Sequence, residues 1–269
     1  MSLNARTAFV RHGLLAGAVF LFAVASVVNA ESDADGQLYA ASEAPLMDVQ
    51  HVLNAAAANG KKGLIVLGAN WCHDSRALAA RLKKSPLSDV VQTGYELVFV
   101  DVGFYEDRSD VLRSFGVQQY YATPTVLIVE PESGQLLNDE DRHIWSNAYN
   151  IDMSSSVEYF EKWAAVDSIV EPVSDELQRL YQEIKQFESQ QASRVAGGYA
   201  VVGPMLKALK EGNRPDDFRS RWDELRDFRI RVWADIRALR EEAGRRVSAG
   251  EADIELEYPR YPALSWESN

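Results

Sequence analysis

Apolar residues between positions 46 and 166 follow two periods in turn. Leu46, Val49, Val52, Leu53 and Ala56 recur at helical spacing, and Asn59-Gly60 closes that segment. Residues 63–69 form a short continuous apolar run, the pattern of a buried strand. Residues 74–84 return to helical spacing through Leu78 and Leu82, and Ser85-Pro86 stops them. Residues 96–102 read as a second strand whose unbroken apolar character implies burial on both faces. A short helix over 109–115 ends at Gly116, and 125–129 read as a third strand. Glu132-Ser133-Gly134 is a turn, and 135–137 begin a fourth strand as a hairpin. Residues 154–166 form a helix with a serine cap and Val157, Phe160, Trp163 and Ala164 on one side. The order α-β-α-β-α-β-β-α predicts an α/β domain, with parallel strands joined by crossovers, an antiparallel hairpin edge and helices on both faces.

The pattern changes after Glu171-Pro172, where no strand signal occurs for about seventy residues. Leu177, Leu180, Tyr181, Ile184 and Phe187 mark a helix over 174–193, broken by Gly197-Gly198. Residues 204–210 read as a short helix ended by Gly212. A long helix, about 42 Å at ~1.5 Å per residue, runs from Asp216 to about Ala243. Its stripe of Phe218, Trp222, Leu225, Val232, Ile236 and Leu239 steps by fours and threes, with Arg229 at the gap and Phe228 and Trp233 widening it. Two uses follow: a helical hairpin packed on itself and on the first domain, or an arm for homodimerisation or partner docking.

The N-terminus carries Arg6 and Arg11, an apolar stretch from Leu14 to Val28, and the small-residue pattern Val28-Asn29-Ala30. This is the layout of an export signal cleaved after Ala30, which predicts a periplasmic or secreted protein. Retention of the stretch as a membrane anchor is the alternative. The expected organisation is a signal peptide over 1–30, a flexible leader over 31–45, the α/β domain over 46–170, an all-α helical domain over 173–245 and an extended tail over 246–269. The chain carries 28 basic and 40 acidic residues, a net charge of −12. Losing the two signal arginines would take it to −14. Nucleic acid is excluded as a partner, since binding it needs clustered positive charge.

A single cysteine occurs in the chain, within Trp71-Cys72-His73-Asp74-Ser75. It follows the first strand and opens the next helix. Helix N-termini present unpaired N–H groups and partial positive charge, which favour a thiolate. Ser75, one turn on, is placed to donate to that thiolate; protonated His73 would favour it, and Asp74 would oppose it. Chemistry of this kind requires the sulfur to be reachable. A second motif, Thr123-Pro124-Thr125, precedes the third strand, where a missing N–H costs nothing and a cis bond is tolerated. His51, His73 and His143 complete the mature histidines, and no ligand pair has the spacing of a metal site. A hydrolase pairing of Cys72 with His143 is not readable from their separation. Asp139-Glu140-Asp141 reads as a solvated loop.

Strand, Asn70-Trp71-Cys72, helix, then Thr123-Pro124-Thr125 about fifty residues later, with Gly134 beyond, resembles the thioredoxin family over residues 46–166. The resemblance implies a thioredoxin-like central sheet flanked by helices. It implies that Cys72 is the nucleophile, flanked by Trp71. It also implies that Pro124 is cis and faces the cysteine, and that the Thr123 backbone docks a client strand, with His73 beside it. Two positions depart from the family pattern. Ser75 stands at the resolving cysteine, and Val66 stands where thioredoxins place a buried acid. A mixed disulfide on Cys72 therefore has no internal thiol to resolve it and needs an external one, such as glutathione or another protein. The expectation is an exported monothiol Cys-x-x-Ser thiol-disulfide oxidoreductase or isomerase acting on protein clients, with no bound cofactor and no metal. The alternative is a redox-inert binding or scaffold module.

Overall fold

The computed structural model describes residues 38–168 and 174–267. The expected signal peptide, the first part of the leader and the Glu171-Pro172 boundary lie outside them.

A three-stranded sheet, ordered β2-β1-β3, forms the centre: β1 is Lys62–Gly68, β2 is Tyr95–Asp101 and β3 is Thr125–Val129. β1 pairs parallel with β2, Lys62 opposite Tyr95, and antiparallel with β3, Leu67 opposite Thr125. The third strand was expected to run parallel, so its direction is a correction. The connection from β2 runs through the short α4 segment Ser109–Arg113 and the Thr123-Pro124 stretch, and β3 enters beside β1 in the opposite direction. The expected fourth strand reduces to an isolated bridge between Val129 and Leu136.

Alternation along the strands sends neighbouring side chains to opposite faces. Ile65, Leu67, Val100, Leu127 and Val129 join one core, while Leu64, Val66, Val126 and Ile128 join the other. The second core is closed by α2 (His73–Leu82), α3 (Leu87–Gly94) and α5 (Met153–Ala164), with Trp145 from the 3-10 segment Ile144–Asn150. The first is closed by α1 (Pro45–Asn59), α4 (Ser109–Arg113) and two long C-terminal helices, α6 (Asp175–Lys210) and α7 (Phe218–Ser248). Helix α3 was not expected; α2 ends at Leu82, ahead of Ser85-Pro86, and α3 begins directly after that pair. The cap of α5 is Asp152, which accepts from the Ser155 N–H, rather than a serine.

Helix α6 is continuous through Gly197, Gly198 and Pro204, where a break was expected. The glycines are contact points: a Cβ on Gly198 would lie 2.7 Å from Leu225 Cδ1 and 2.8 Å from Trp266 Cζ2. A Cβ on Gly203 would lie 2.1 Å from the Phe104 carbonyl oxygen. The stripe of α7 is spent inside the chain, with Leu225, Phe228, Val232, Ile236, Leu239 and Ala243 all buried in the first core. Phe218 and Trp222, at the start of the stripe, are only partly buried. The extended tail packs inward as well, burying Ile254, Leu256 and Leu264.

A charged cluster ties the helical arm to the α/β layer. Buried Arg142 pairs with Asp139 and, at 3.5 Å, with Glu188 of α6; Arg240 of α7 pairs with Asp139 and, at 3.3 Å, with Glu188. Asp139 is thus a cross-link, and Asp141 accepts from the Tyr159 hydroxyl at 2.9 Å, so the acidic run is not a solvated loop. Among the described residues no helix is long and apolar enough to cross a membrane.

Candidate functional site

Strand β1 ends at Gly68, and the Ala69-Asn70-Trp71 loop delivers Cys72 to the N-cap of α2. The Cys72 carbonyl accepts the first helical bond, from the Arg76 N–H at 3.1 Å, and no side chain caps the helix. The sulfur therefore sits at the positive end of α2. Across from it, the Thr123–Pro124 peptide is cis, and the Cys72 thiol donates to the Thr123 carbonyl at 3.3 Å. Cys72, Thr123 and Pro124, far apart in sequence, are one site.

The other expected residues divide. Trp71 donates its indole N–H to the Gly103 carbonyl at 2.7 Å and meets Tyr105 and Trp222 edge-on, a fixed wall beside the cysteine. Ser75 is fully buried; its carbonyl accepts from the Tyr39 hydroxyl, and its own hydroxyl has no partner. No hydrogen bond joins it to the sulfur, which donates to Thr123 instead. His73 is largely exposed, pairs with Asp74 at 3.1 Å and meets the Tyr149 ring edge-on. Asp74 also accepts from the Tyr149 N–H at 2.9 Å, so its charge is engaged by the 3-10 segment.

The sulfur is not open to bulk solvent, as the sequence reading required. Cys72 is 8% exposed and faces a cavity of about 530 Å³. One side is the Trp71–Asp74 and Tyr121–Thr123 stretch; the other is the arm, through Leu206, Leu209, Phe218, Trp222, Arg229 and Trp233. Gly203 lets α6 approach the Phe104 backbone, and the end of α6 together with α7 walls the cavity beside the cysteine.

His143, whose pairing with Cys72 could not be read from the sequence, belongs to this wall. It is buried, with Nδ1 3.0 Å from Thr125 Oγ1 and Nε2 without a partner. Thr125 spends its hydroxyl proton on the Ala122 carbonyl at 2.8 Å. Its oxygen therefore accepts from Nδ1–H, which assigns Nε2 as a bare acceptor. Burial, then the charges of Arg142 and Arg229, hold the imidazole well below its usual 6.5. Arg229 donates to the Tyr105 hydroxyl at 3.0 Å and leaves its Nε unpartnered. Burial works against its charge, but Tyr105 and Tyr199 outweigh it and raise the guanidinium further. Among the described residues, no three of His, Cys, Asp and Glu come together as a metal-binding group.

A sulfur at a helix N-cap opposite a cis proline, on a β2-β1-β3 sheet, decides the fold. The domain is thioredoxin-like. Residues 44–131 match a family model described as thioredoxin-like. The solved structure of a disulphide isomerase from Xylella fastidiosa Temecula1 is similar, at 25% identity and a TM-score of 0.43. The similarity covers 46% of this chain and 94% of that one. No curated protein matches the chain. The thioredoxin-like domain and its C-terminal helical region together confirm the fold class expected from the sequence.

Proposed function

We propose that this protein carries out monothiol thiol–disulfide exchange through Cys72, in an exported, periplasmic setting. The observation that carries this reading is the sulfur at the α2 N-terminus, 3.3 Å from the Thr123 carbonyl beside a cis proline. The Cys72 thiolate attacks one sulfur of a disulfide. A Cys72–S bond forms, the original S–S bond breaks, and the departing thiolate takes up a proton. With Ser75 at the resolving position, a second thiolate from outside must attack the mixed disulfide, releasing Cys72. The unpartnered Ser75 hydroxyl is the donor available to the charged sulfur, Thr123 and Pro124 are the edge for the incoming chain, and His73 stands at the rim. The external thiol, of which glutathione is one example, is a co-substrate rather than a resident cofactor, and protein disulfides are the clients.

The walling of the cysteine favours a second reading, a redox-inert scaffold that binds through the same face. Mixed-disulfide trapping separates the two. Under the exchange reading, clients remain attached to Cys72 on non-reducing gels and Cys72→Ala abolishes capture. Undiminished capture by Cys72→Ala, or a thiol whose alkylation shows no pKa below ~8.5, leaves only the scaffold. Homodimerisation through α7 would need a face other than the buried stripe; sedimentation of the full chain reads it directly. Export is tested by whether the mature protein begins after Ala30.

A further inference from the structure

The cavity beside Cys72 has a composition that thiol exchange does not call for. The chain as a whole is strongly acidic, at −12, yet this cavity is lined by Lys210, Arg226 and Arg229 against the single carboxylate of Asp74. Asp74 is already engaged by His73 and the Tyr149 N–H, and Arg226 by Asp223 and Asp227. Arg229 and Lys210 remain: the first keeps Nε without a partner, and the second makes no hydrogen bond or ion pair among the described residues. Arg229 Nε is closed to solvent, so Arg229 and Lys210 serve this cavity as lining cations rather than through that atom. His143, 4% exposed, also lines the cavity, with its unpartnered Nε2 closed to solvent. The rest of the wall is flat and apolar, with Tyr121 stacked on Trp233 at 5.9 Å and Trp222 tilted against Phe218 at 5.6 Å. A volume of about 530 Å³ falls in the range of small-molecule sites, about 300–1,000 Å³.

We propose that this cavity is a binding site for a small organic acid with a flat apolar body, its carboxylate met by Arg229 and Lys210 and its rings held between Trp222 and Trp233. A guanidinium recognises a carboxylate with directed, charge-assisted hydrogen bonds. A ligand seated there lies beside Cys72, which lines the same cavity. The site requires no covalent step, so it stands or falls separately from exchange chemistry.

Hydroxynaphthoate and its neutral amide, hydroxynaphthamide, are suitable probes on the full chain. Binding is read by quenching of tryptophan fluorescence and by calorimetry. The acid is expected to bind at least about tenfold tighter than the amide, a difference of about 1.4 kcal/mol. Arg229→Gln should erase that preference while leaving amide binding intact, and Lys210→Gln, at the mouth, should weaken the acid without touching the fold. Saturating acid should slow alkylation of Cys72, and Cys72→Ser should bind the acid with unchanged affinity. Equal binding of acid and amide, or no binding of either at millimolar concentration, overturns the proposal. An acid preference that survives both Arg229→Gln and Lys210→Gln overturns it too. If Arg229→Gln fails to fold, the acid–amide comparison on the unaltered chain and the Lys210→Gln result still decide it.

Discussion

Replacing Gly203 by alanine tests whether α6 is pressed against the α/β layer tightly enough to wall the cavity beside the cysteine. In a helix interior, alanine is favoured over glycine by roughly 1 kcal/mol. At Gly244 of α7 a Cβ would meet nothing within 4 Å, so Gly244→Ala should realise most of that gain, about 0.5–1 kcal/mol. At Gly203 the Cβ would sit 2.1 Å from the Phe104 carbonyl oxygen, and backbone cannot swing aside. Relief requires the helix to retreat by about 1 Å, and overpacking of that kind typically costs about 1–3 kcal/mol. Pro204 adds to the cost, because a residue before proline disfavours the helical region once it carries a Cβ. Gly203→Ala is therefore expected to destabilise by about 1–2 kcal/mol net. Gly198→Ala should fall between the two, since its neighbours at 2.7 and 2.8 Å are side-chain atoms of Leu225 and Trp266. Urea unfolding of the three variants, compared at equal m, reads the order directly. Alkylation of Cys72 in Gly203→Ala should also quicken, because the wall has moved back. A Gly203→Ala protein as stabilised as Gly244→Ala would refute the close approach of α6.

Three further outcomes are expected. Trp222→Ala removes the ring contacts to Trp71 and Tyr105, worth about 0.5–1.5 kcal/mol each, and should speed Cys72 alkylation about tenfold; an unchanged rate would show that Trp222 does not guard the sulfur. His143 is held neutral when folded, so the unfolded state binds the extra proton as pH falls below ~6.5. Stability should then drop with falling pH by up to about 1.4 kcal/mol per unit from this group, and a urea series comparing the unaltered chain with His143→Gln should show that slope shrink. Arg142→Leu leaves Glu188 buried with only Arg240 to balance it and should cost about 3–5 kcal/mol, partly recovered by adding Glu188→Leu; thermal unfolding of the pair measures the recovery.

The thioredoxin-like domain was legible because its signals are local. Leu64 to Leu67 could only be a core strand, and Trp71-Cys72 and Thr123-Pro124 announced a site before any distance was known. The direction of β3 was not legible, since it depends on how the long connection before Pro124 returns to the sheet. Gly197 and Gly198 misled for a physical reason: glycine lowers helix propensity, but here its small size is what allows α7 and Trp266 to come close. Arg229 was visible as a gap in the apolar stripe of α7, and a cation on a buried seam is a sound sign of a site. What it faced could not be read, because Cys72 and His143 reach it only through tertiary packing. His143 could be weighed as a partner of Cys72, but its sequence position did not show that both line one cavity.

Order along the chain adds a temporal side to the walled cysteine. Trp233 follows Cys72 by 161 residues, so at about 5–20 residues per second a growing polypeptide presents its sulfur for roughly 8–30 s before the covering helix has been made. Newborn molecules thus pass through a stage in which an adventitious partner can react with the thiol, and completion of the C-terminal hairpin marks the end of that vulnerability.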